Sequence, residues 1–282
     1  MTRRPFQQVD VFTATPYHGN PLAVVLQADG LDDATMQRFA RWTNLSETTF
    51  LLTPTEPGAD YCARIFTPGG ELPFAGHPTL GSCHAWLTAG GMPHSTEQVL
   101  QQCGVGLVPI RRDKALLAFG APALTRSDVQ VPLLGTVTAA LGLRPAQVVS
   151  AQLLDNGTPW LGLLLDDPSA VARLQPDLGQ LAATGHKVGV AAVRADAGDD
   201  AVQLEVRGFA PHLGVNEDPV TGSLNASLAQ WLIAEGRMPN HYLAAQGAAL
   251  GRAGRVQINT DASGQVWVGG QSVTCIRGTV DL

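Results

Sequence analysis

Two stretches half a chain apart share one plan. "FTPGGELPFAGHPTLGSCHAWLTAGG" opens at Phe66 and "FAPHLGVNEDPVTGSLNASLAQWLIAEG" at Phe209, 143 positions later in a chain of 282 residues. Each sets Phe and Pro two apart, adds a Gly-bearing loop, joins a polar residue to Pro, passes through small residues and ends in a Trp-bearing helix closed by Gly. Recurrence of one order of residues at half the chain length reads as a pseudo-repeat of two αβ lobes. A duplicated lobe constrains the fold more than any single motif, because whatever the first half builds the second must build again.

The flanking segments fit that frame. "FQQVDVFT" and "NPLAVVLQ" read as two strands of a hairpin joined by the turn-rich "ATPYHGN". "LDDATMQRFARWTN" has Asp32 or Asp33 as N-cap and places Met36, Phe39, Ala40 and Thr43 at helical spacing, after which "ETTFLL" returns to strand chemistry with Glu47 at the junction. "DYCARIF" is a strand, "GELPFAGHP" a connector, "TLGSCHAWLTA" a helix ended by Gly90-Gly91, and "QQCGVGLVPIRR" and "ALLAFGAP" are strands. The second half opens near "GAPALTRSD" with a helix, "VPLLGTVTAALG", capped at Ser127 or Asp128. The strands "AQLLDNG", "PWLGLLLD", "KVGVAAVRA" and "AVQLEVRGF" follow, with a helical stretch after the second of them. The tail from Arg255 reads as a meander that returns toward the first lobe. The expected division is 1–124 for the N-terminal lobe, 125–271 for the C-terminal lobe, and 272–282 as the returning tail.

Composition narrows the partners. With 45% apolar residues the chain can bury a sizeable core, and 24 acidic against 18 basic residues give a net charge of −6, which argues against nucleic acid. No apolar run reaches the about 20 residues a bilayer demands, and "MTRRPFQQVDVF" lacks a signal peptide's apolar core, so a cytoplasmic protein without a membrane partner is expected. The four cysteines (Cys62, Cys83, Cys103, Cys275) are scattered, without a CxxC or zinc spacing. Neither metal nor organic cofactor has evident ligands. The strings GxxxxGK[ST], GxGxxG at a strand-to-helix turn, HExxH and GxSxG are missing, which removes the nucleotide, zinc-protease and α/β-hydrolase readings.

The two repeated connectors carry the chemistry. Pro favours the first helical position, so "GHPTLG" and "EDPVTGS" each read as a helix start. The first N–H groups of a helix have no intrahelical acceptor and carry the positive end of its dipole, which seats a carboxylate or oxyanion. Two similar lobes facing each other across a pseudo-dyad would bring both starts to one cleft, with His77 opposite Asp218. Plainer uses exist for each residue: His77 fits a helix cap or a buried hydrogen-bonded ring, Asp218 an N-cap, and Glu47 a solvated carboxylate. The repeated loop design, rather than any one residue, favours a binding site.

"VDVFTATPYHGNPLAVV", "NLSETTF", "RIFTPGGELPFAGHPTLG" and "GVNEDPVTGS" resemble, in order, four motifs of the PhzF-like family, relatives of the phenazine-biosynthesis isomerase. The resemblance runs from about residue 6 to the end. It implies an α+β, diaminopimelate epimerase-like fold of two pseudo-symmetric lobes, each a mixed or antiparallel barrel-like sheet around a central helix, with the active site between lobes. It implies Glu47 as general acid/base, His77 and Asp218 as the pair holding the substrate, and Gly76, Gly222 and Ser223 as backbone or hydroxyl contacts to a substrate carboxylate. Where the epimerase cousins carry two cysteines this chain has Ala75 and Thr221, so a two-thiol racemisation is excluded.

A single carboxyl group can take a proton from one carbon and return it to another, provided desolvation raises its pKa toward neutrality. The expected activity is therefore a cofactor-independent isomerisation of a small cyclic or conjugated carboxylic acid, in a protein whose relatives are often homodimers. The alternatives are an epimerase of a small amino-acid-like acid and a non-catalytic acid-binding protein that keeps a relic cleft.

Overall fold

The computed structural model describes residues 2–194 and 201–282. The chain forms two compact units, residues 1–120 with 269–282, and residues 121–268. The first contains β1 (Arg3–Val11), β2 (Asn20–Val25), α1 (Asp33–Thr43), β3 (Thr48–Leu52), β4 (Tyr61–Phe66), β5 (Glu71–Leu72), α2 (Gly76–Thr88), β6 (Gln98–Cys103), β7 (Gly106–Asp113) and β8 (Leu116–Gly120). The second contains β9 (Thr125–Ser127), α3 (Val131–Ala140), β10 (Val148–Asp155), β11 (Trp160–Leu165), α4 (Pro168–Arg173), α5 (Leu178–Ala183), β12 (Val188–Val193), β13 (Val202–Ala210), β14 (Val215–Asp218), α6 (Gly222–Ala234), β15 (His241–Gln246) and β16 (Gly254–Thr260). The last strand, β17 (Val266–Asp281), belongs to the first unit from Gly269 onward.

In the first unit the strands close on themselves. β1 pairs antiparallel with β2, β2 parallel with β3, β3 antiparallel with β4, and β4 parallel with β6. β6, β7 and β8 form an antiparallel meander, β8 pairs with β17, and β17 returns antiparallel to β1 from Arg3↔Asp281 to Val11↔Ser272, completing a barrel of eight strands. The second unit repeats the pairings: β10–β11 antiparallel, β11–β12 parallel, β12–β13 antiparallel, β13–β15 parallel, β15–β16 antiparallel. Each parallel pair needs a crossover, and helices supply it at matching places: α1 and the α4–α5 pair on one crossover, α2 and α6 on the other. This is an α+β fold in which each unit wraps a mixed sheet around a central helix.

The central helices follow from their composition. An amphipathic helix has one apolar stripe, whereas one apolar or small on every side suits complete burial. In α2 Gly76 to Cys83 and Ala85 are all buried, and the helix touches β1, β2, β3, β4, β6 and β8. Small residues set the approach: a Cβ on Gly81 would lie 2.6 Å from Leu22 Cδ2 and 2.9 Å from Val11 Cγ2. The C-terminal carbonyls of Ala85, Trp86 and Leu87 are taken up by the N–H groups of Ala89, Gly91 and Gly90, and the buried Gln7 adds a bond from the sheet, donating through Nε2 to the Ala85 carbonyl at 3.1 Å. By contrast α1 is one-sided, burying Met36, Phe39 and Ala40 against Val25, Phe50 and Phe66, with Asp32 as its N-cap accepting from the Thr35 N–H at 2.7 Å.

Several local expectations are corrected. Helix α3 starts at Val131 with Gln130 as N-cap and without a side-chain cap; Ser127 belongs to β9 inside the turn-rich "GAPALTRSD", because pairing with β10 takes Thr125–Ser127 into the sheet. Helix α2 begins at Gly76, so Pro78 is its third residue, where an N–H is still not required. Helix α6 begins at Gly222, three residues after Pro219. The last residue of "KVGVAAVRA", Ala195, lies outside the described residues.

One device occurs in both units. Arg64 on β4 donates from Nε and Nη2 to the two oxygens of Glu71 on β5 at 2.7 and 2.6 Å, its guanidinium 5.1 Å from the Phe66 ring centre. Arg207 on β13 does the same to Glu217 on β14 at 2.9 and 2.8 Å, 5.1 Å from the Phe209 ring. Each clamp ties the short strand that precedes a central helix back to the long strand before it. Arg207 adds bonds from Nη1 to the carbonyls of Val171 and Leu174 at the end of α4.

The two clamps differ in burial, and so in consequence. Arg207 and Glu217 side chains are 7% and 10% exposed, against 26% and 41% for Arg64 and Glu71. Removing one member of a buried pair strands the other charge at a cost of about 3–5 kcal/mol, whereas exposed pairs contribute about 1 kcal/mol or less. Urea unfolding is expected to place Arg207→Ala in the first range and Arg64→Ala well below it; equal losses would contradict the assignment.

Candidate active site

Glu47 follows the connector that leaves α1. Asn44 takes a left-handed conformation at the helix C-cap (φ 54°), which turns the chain back, and Thr48, the first residue of β3, is braced by a 2.8 Å hydroxyl contact with Thr43. The parallel pairing of β3 with β2 begins at Thr48↔Ala23, so Glu47 stands at the rim of the sheet with a side chain only 16% exposed. It faces His77, the second residue of α2: Oε2 and Nε2 are 3.5 Å apart. The plain reading of Glu47 as a solvated carboxylate is thereby set aside.

His77 is buried, its side chain 6% exposed. Burial pushes its pKa down to about 3, and the carbonyl of Pro21, a hydrogen-bonding partner that favours the protonated ring, does not reverse this. On its other side the Nδ1 atom lies 3.5 Å from Nδ2 of the fully buried Asn20. At neutral pH the ring facing Glu47 is therefore uncharged. Beside it the N–H groups of Gly76 and His77 begin a helix and have no acceptor within it, the first intrahelical bond being Thr79 N–H to the Ala75 carbonyl at 3.1 Å.

The second connector sits in the other unit. Asp218 ends β14, opposite Gly208 of β13, and Thr221 is the N-cap of α6. Thr221 donates its hydroxyl to Asp218 Oδ2 at 2.7 Å, so Asp218 is an acceptor ahead of the helix and not its cap. The buried Gln246 of β15 bonds to the Asp218 carbonyl, the Thr221 hydroxyl, the Thr221 N–H and Asn225. Gly222 is the first residue of α6, and a Cβ at Gly208 beneath it would press on Thr221 and Leu224. Ser223 Oγ accepts from the indole of Trp160 at 3.1 Å, which leaves the serine hydrogen for another acceptor.

The structure thus brings Glu47, Gly76 and His77 together at the start of α2, and Asp218, Gly222 and Ser223 at the start of α6. His84 stays apart, bonded to Thr274 at 3.0 Å on the barrel wall. Sequence reasoning missed Asn20, Thr221 as a partner of Asp218, Trp160 and Gln246. Asn20 lay within a quoted motif, "HGNP", but nothing in the string pairs it with a histidine 57 positions away. Gln246 had no signal, since its importance lies in four bonds to Asp218, Thr221 and Asn225, around the start of α6. Among the described residues no group of three or more His, Cys, Asp or Glu is arranged to hold a metal, and no helix is long and apolar enough to cross a membrane.

A mixed sheet wound about a buried helix, built twice, with polar residues at both helix starts, is the diaminopimelate epimerase-like architecture. Within that class the chain belongs to the PhzC-PhzF family of phenazine biosynthesis-like proteins, which matches residues 9–278. Antisense-enhancing sequence 1 of Schizosaccharomyces pombe is 37% identical, with 99% of each chain covered. The trans-2,3-dihydro-3-hydroxyanthranilate isomerase of Pseudomonas aeruginosa is 33% identical over 91% of this chain and 90% of its own. Among solved structures, the Bacillus anthracis phenazine biosynthesis protein of the PhzF family superposes with a TM-score of 0.86 at 22% identity, covering both chains fully. The chain is a member of an isomerase family.

The His77 environment has a pH signature. A histidine whose folded pKa lies below its ordinary 6.5 leaves the unfolded chain binding more protons between pH 6.5 and about 3. Stability from this group is present above 6.5 and is lost as the pH falls, with a slope of up to about 1.4 kcal/mol per pH unit. Nitrogen-15 spectra are expected to keep His77 neutral at pH 5; an imidazolium signal there would contradict the burial.

Proposed function

We propose that this protein is a cofactor-independent isomerase that moves a proton within a small cyclic or conjugated carboxylic acid. The observation that carries the reading is the pairing of a largely buried Glu47 with a neutral His77 at the start of a central helix. An uncharged imidazole does not anchor a carboxylate as a cation would, and Glu47 stands beside it at the helix start, placed to take up a proton and to give one up. In the forward step the Glu47 carboxylate takes a proton from one carbon. The electron pair left behind shifts along the conjugated system, and the proton held on Glu47 returns to a second carbon. The double bond has moved, and no other reactant is consumed.

The helix starts supply the complementary part. Substrate carboxylate and developing enolate-like charge would be met by N–H groups of Gly76 and Gly222 and by the Ser223 hydroxyl, with His77 and Asp218 orienting the substrate. The two connectors act on one substrate in this reading, as the family resemblance implies. The named activity of the Pseudomonas aeruginosa relative makes trans-2,3-dihydro-3-hydroxyanthranilate the first acid to try. Following the same resemblance, the reading extends to a cytoplasmic homodimer without metal or organic cofactor.

The test is proton exchange. In deuterium oxide the wild type is expected to isomerise trans-2,3-dihydro-3-hydroxyanthranilate, or another member of a panel of cyclic conjugated acids, with deuterium appearing at carbon. Glu47→Gln should lower that rate by about 10²–10⁴-fold, the usual contribution of a general acid/base, while ligand-induced thermal stabilisation persists. Undiminished exchange in Glu47→Gln would remove Glu47 from the chemistry. Inversion at a single carbon without a moved double bond would make the protein an epimerase, and binding without exchange across the panel would leave an acid-binding protein.

A further inference from the structure

Thr221 occupies the N-cap of α6 without doing the work of an N-cap. A threonine there ordinarily accepts from an N–H one turn into the helix, a bond whose loss costs about 1 kcal/mol. Thr221 makes no such bond; its hydroxyl donates instead to Asp218 Oδ2 at 2.7 Å. The corresponding residue of the first unit, Ala75, also starts its helix with extended backbone (φ −154°, ψ 140°) and no side-chain cap, so helix initiation in this fold does not call for a hydroxyl.

The direction of that hydroxyl is set from behind. Gln246 is buried and donates from Nε2 to Thr221 Oγ1 at 2.8 Å and to the Asp218 carbonyl at 2.9 Å. Its Oε1 accepts from the Thr221 N–H at 3.0 Å and from Asn225 Nδ2 at 2.9 Å, which fixes which way the amide points. With its lone pair engaged by an N–H donor, the Thr221 oxygen has its hydrogen left for Asp218, and a carboxylate accepts it better than a carboxylic acid does. The buried Gln101 of β6 also reaches its central helix, donating to Thr79 at 3.1 Å, but at Ala75 there is no side-chain oxygen to relay through.

We propose that Thr221, oriented by Gln246, is a positioning residue that holds Asp218 ionised and aimed for substrate. This rests on the reading of Asp218 as a substrate-holding group. The other charged or titratable groups on the surrounding elements are Arg207 and Glu217, paired with each other on β13 and β14, Glu205 of β13 paired with Arg194, His212 in the turn before β14, His241 of β15, Arg255 of β16, and Arg252, whose Cβ would stand 2.8 Å from a Cβ on Gly247. They are the same in every variant, so differences between variants report on residue 221.

The experiment follows the Asp218 side-chain carbon by NMR in protein labelled with ¹³C-aspartate, assigned by its loss in Asp218→Asn, and titrated with pH without substrate. Thr221→Val keeps the shape and removes the hydroxyl; Thr221→Ala installs the residue that already starts α2. Both are expected to raise the Asp218 midpoint by about one unit, and Thr221→Ser to restore it. Midpoints in Thr221→Val and Thr221→Ala that match the wild type would overturn the proposal, as would a Thr221→Ser midpoint displaced as far as theirs. Because the readout needs no turnover, a protein inactive on every acid tested would sink the proposed isomerisation while leaving this result to stand or fall alone.

Discussion

Burial of most of a helix inside its own sheet is the constraint from which the rest follows. A helix threaded through a closed barrel must find partners for its end groups, even where the last turn reaches solvent as α2 does at Thr88 and Ala89, and its flanks must be narrow enough for strands on every side. Gly76, Gly81, Ser82 and Ala85 meet the second demand. At the C-terminal end the following N–H groups of Ala89, Gly90 and Gly91 meet most of the first, and Gln7 adds a bond from the wall. The N-terminal end is the part a wall cannot serve, since those N–H groups point out along the axis. A fold of this kind carries an electropositive seat in each unit as a by-product of its architecture.

The chain reaches that seat through a short edge strand, and the paired Arg–Phe–Glu clamps decide where it begins. β5 has two residues and β14 four, too few to hold themselves in place by ladder hydrogen bonds. Arg64 and Arg207 supply a bidentate anchor with a ring stacked beneath it, once per unit, which is physical support for the duplication first seen in the order of residues. In the second unit the clamp is buried and also ends α4, so the placement of Asp218, next to Glu217, is coupled to the core.

Repetition of the frame makes the differences at the helix starts informative. In the first unit a neutral histidine on the helix confronts a glutamate that arrives from a separate crossover. In the second the carboxylate lies on the edge strand, held by a threonine and a glutamine. One architecture therefore carries two electrostatic settings: a buried uncharged ring beside Glu47, and a network of donors around Asp218. The isomerisation proposed above asks for opposite surroundings of this kind, one for an acid that exchanges protons and one for a carboxylate held ionised.

Sequence alone was enough for the duplication, the strand and helix order, and the two connectors, because these depend on local chemistry: Gly and Pro punctuation, alternation in strands, small residues along a helix. Glu47, His77 and Asp218 draw notice for the same reason, each lying beside a helix or strand boundary, while the roles expected of them come from the family resemblance. Even there local rules misplaced detail. Pro favours the first helical position, yet α2 starts two residues before Pro78 and α6 three residues after Pro219; a cap at Ser127 suits local rules, but pairing with β10 takes Ser127 into the sheet. Tertiary structure alone decided that Glu47 meets His77, that burial keeps the ring neutral, that Asn20 stands behind it, and that Thr221 serves Asp218 rather than its own helix. Those are contacts and desolvation between segments up to 57 positions apart, and neither distance nor dielectric is a property of residue order.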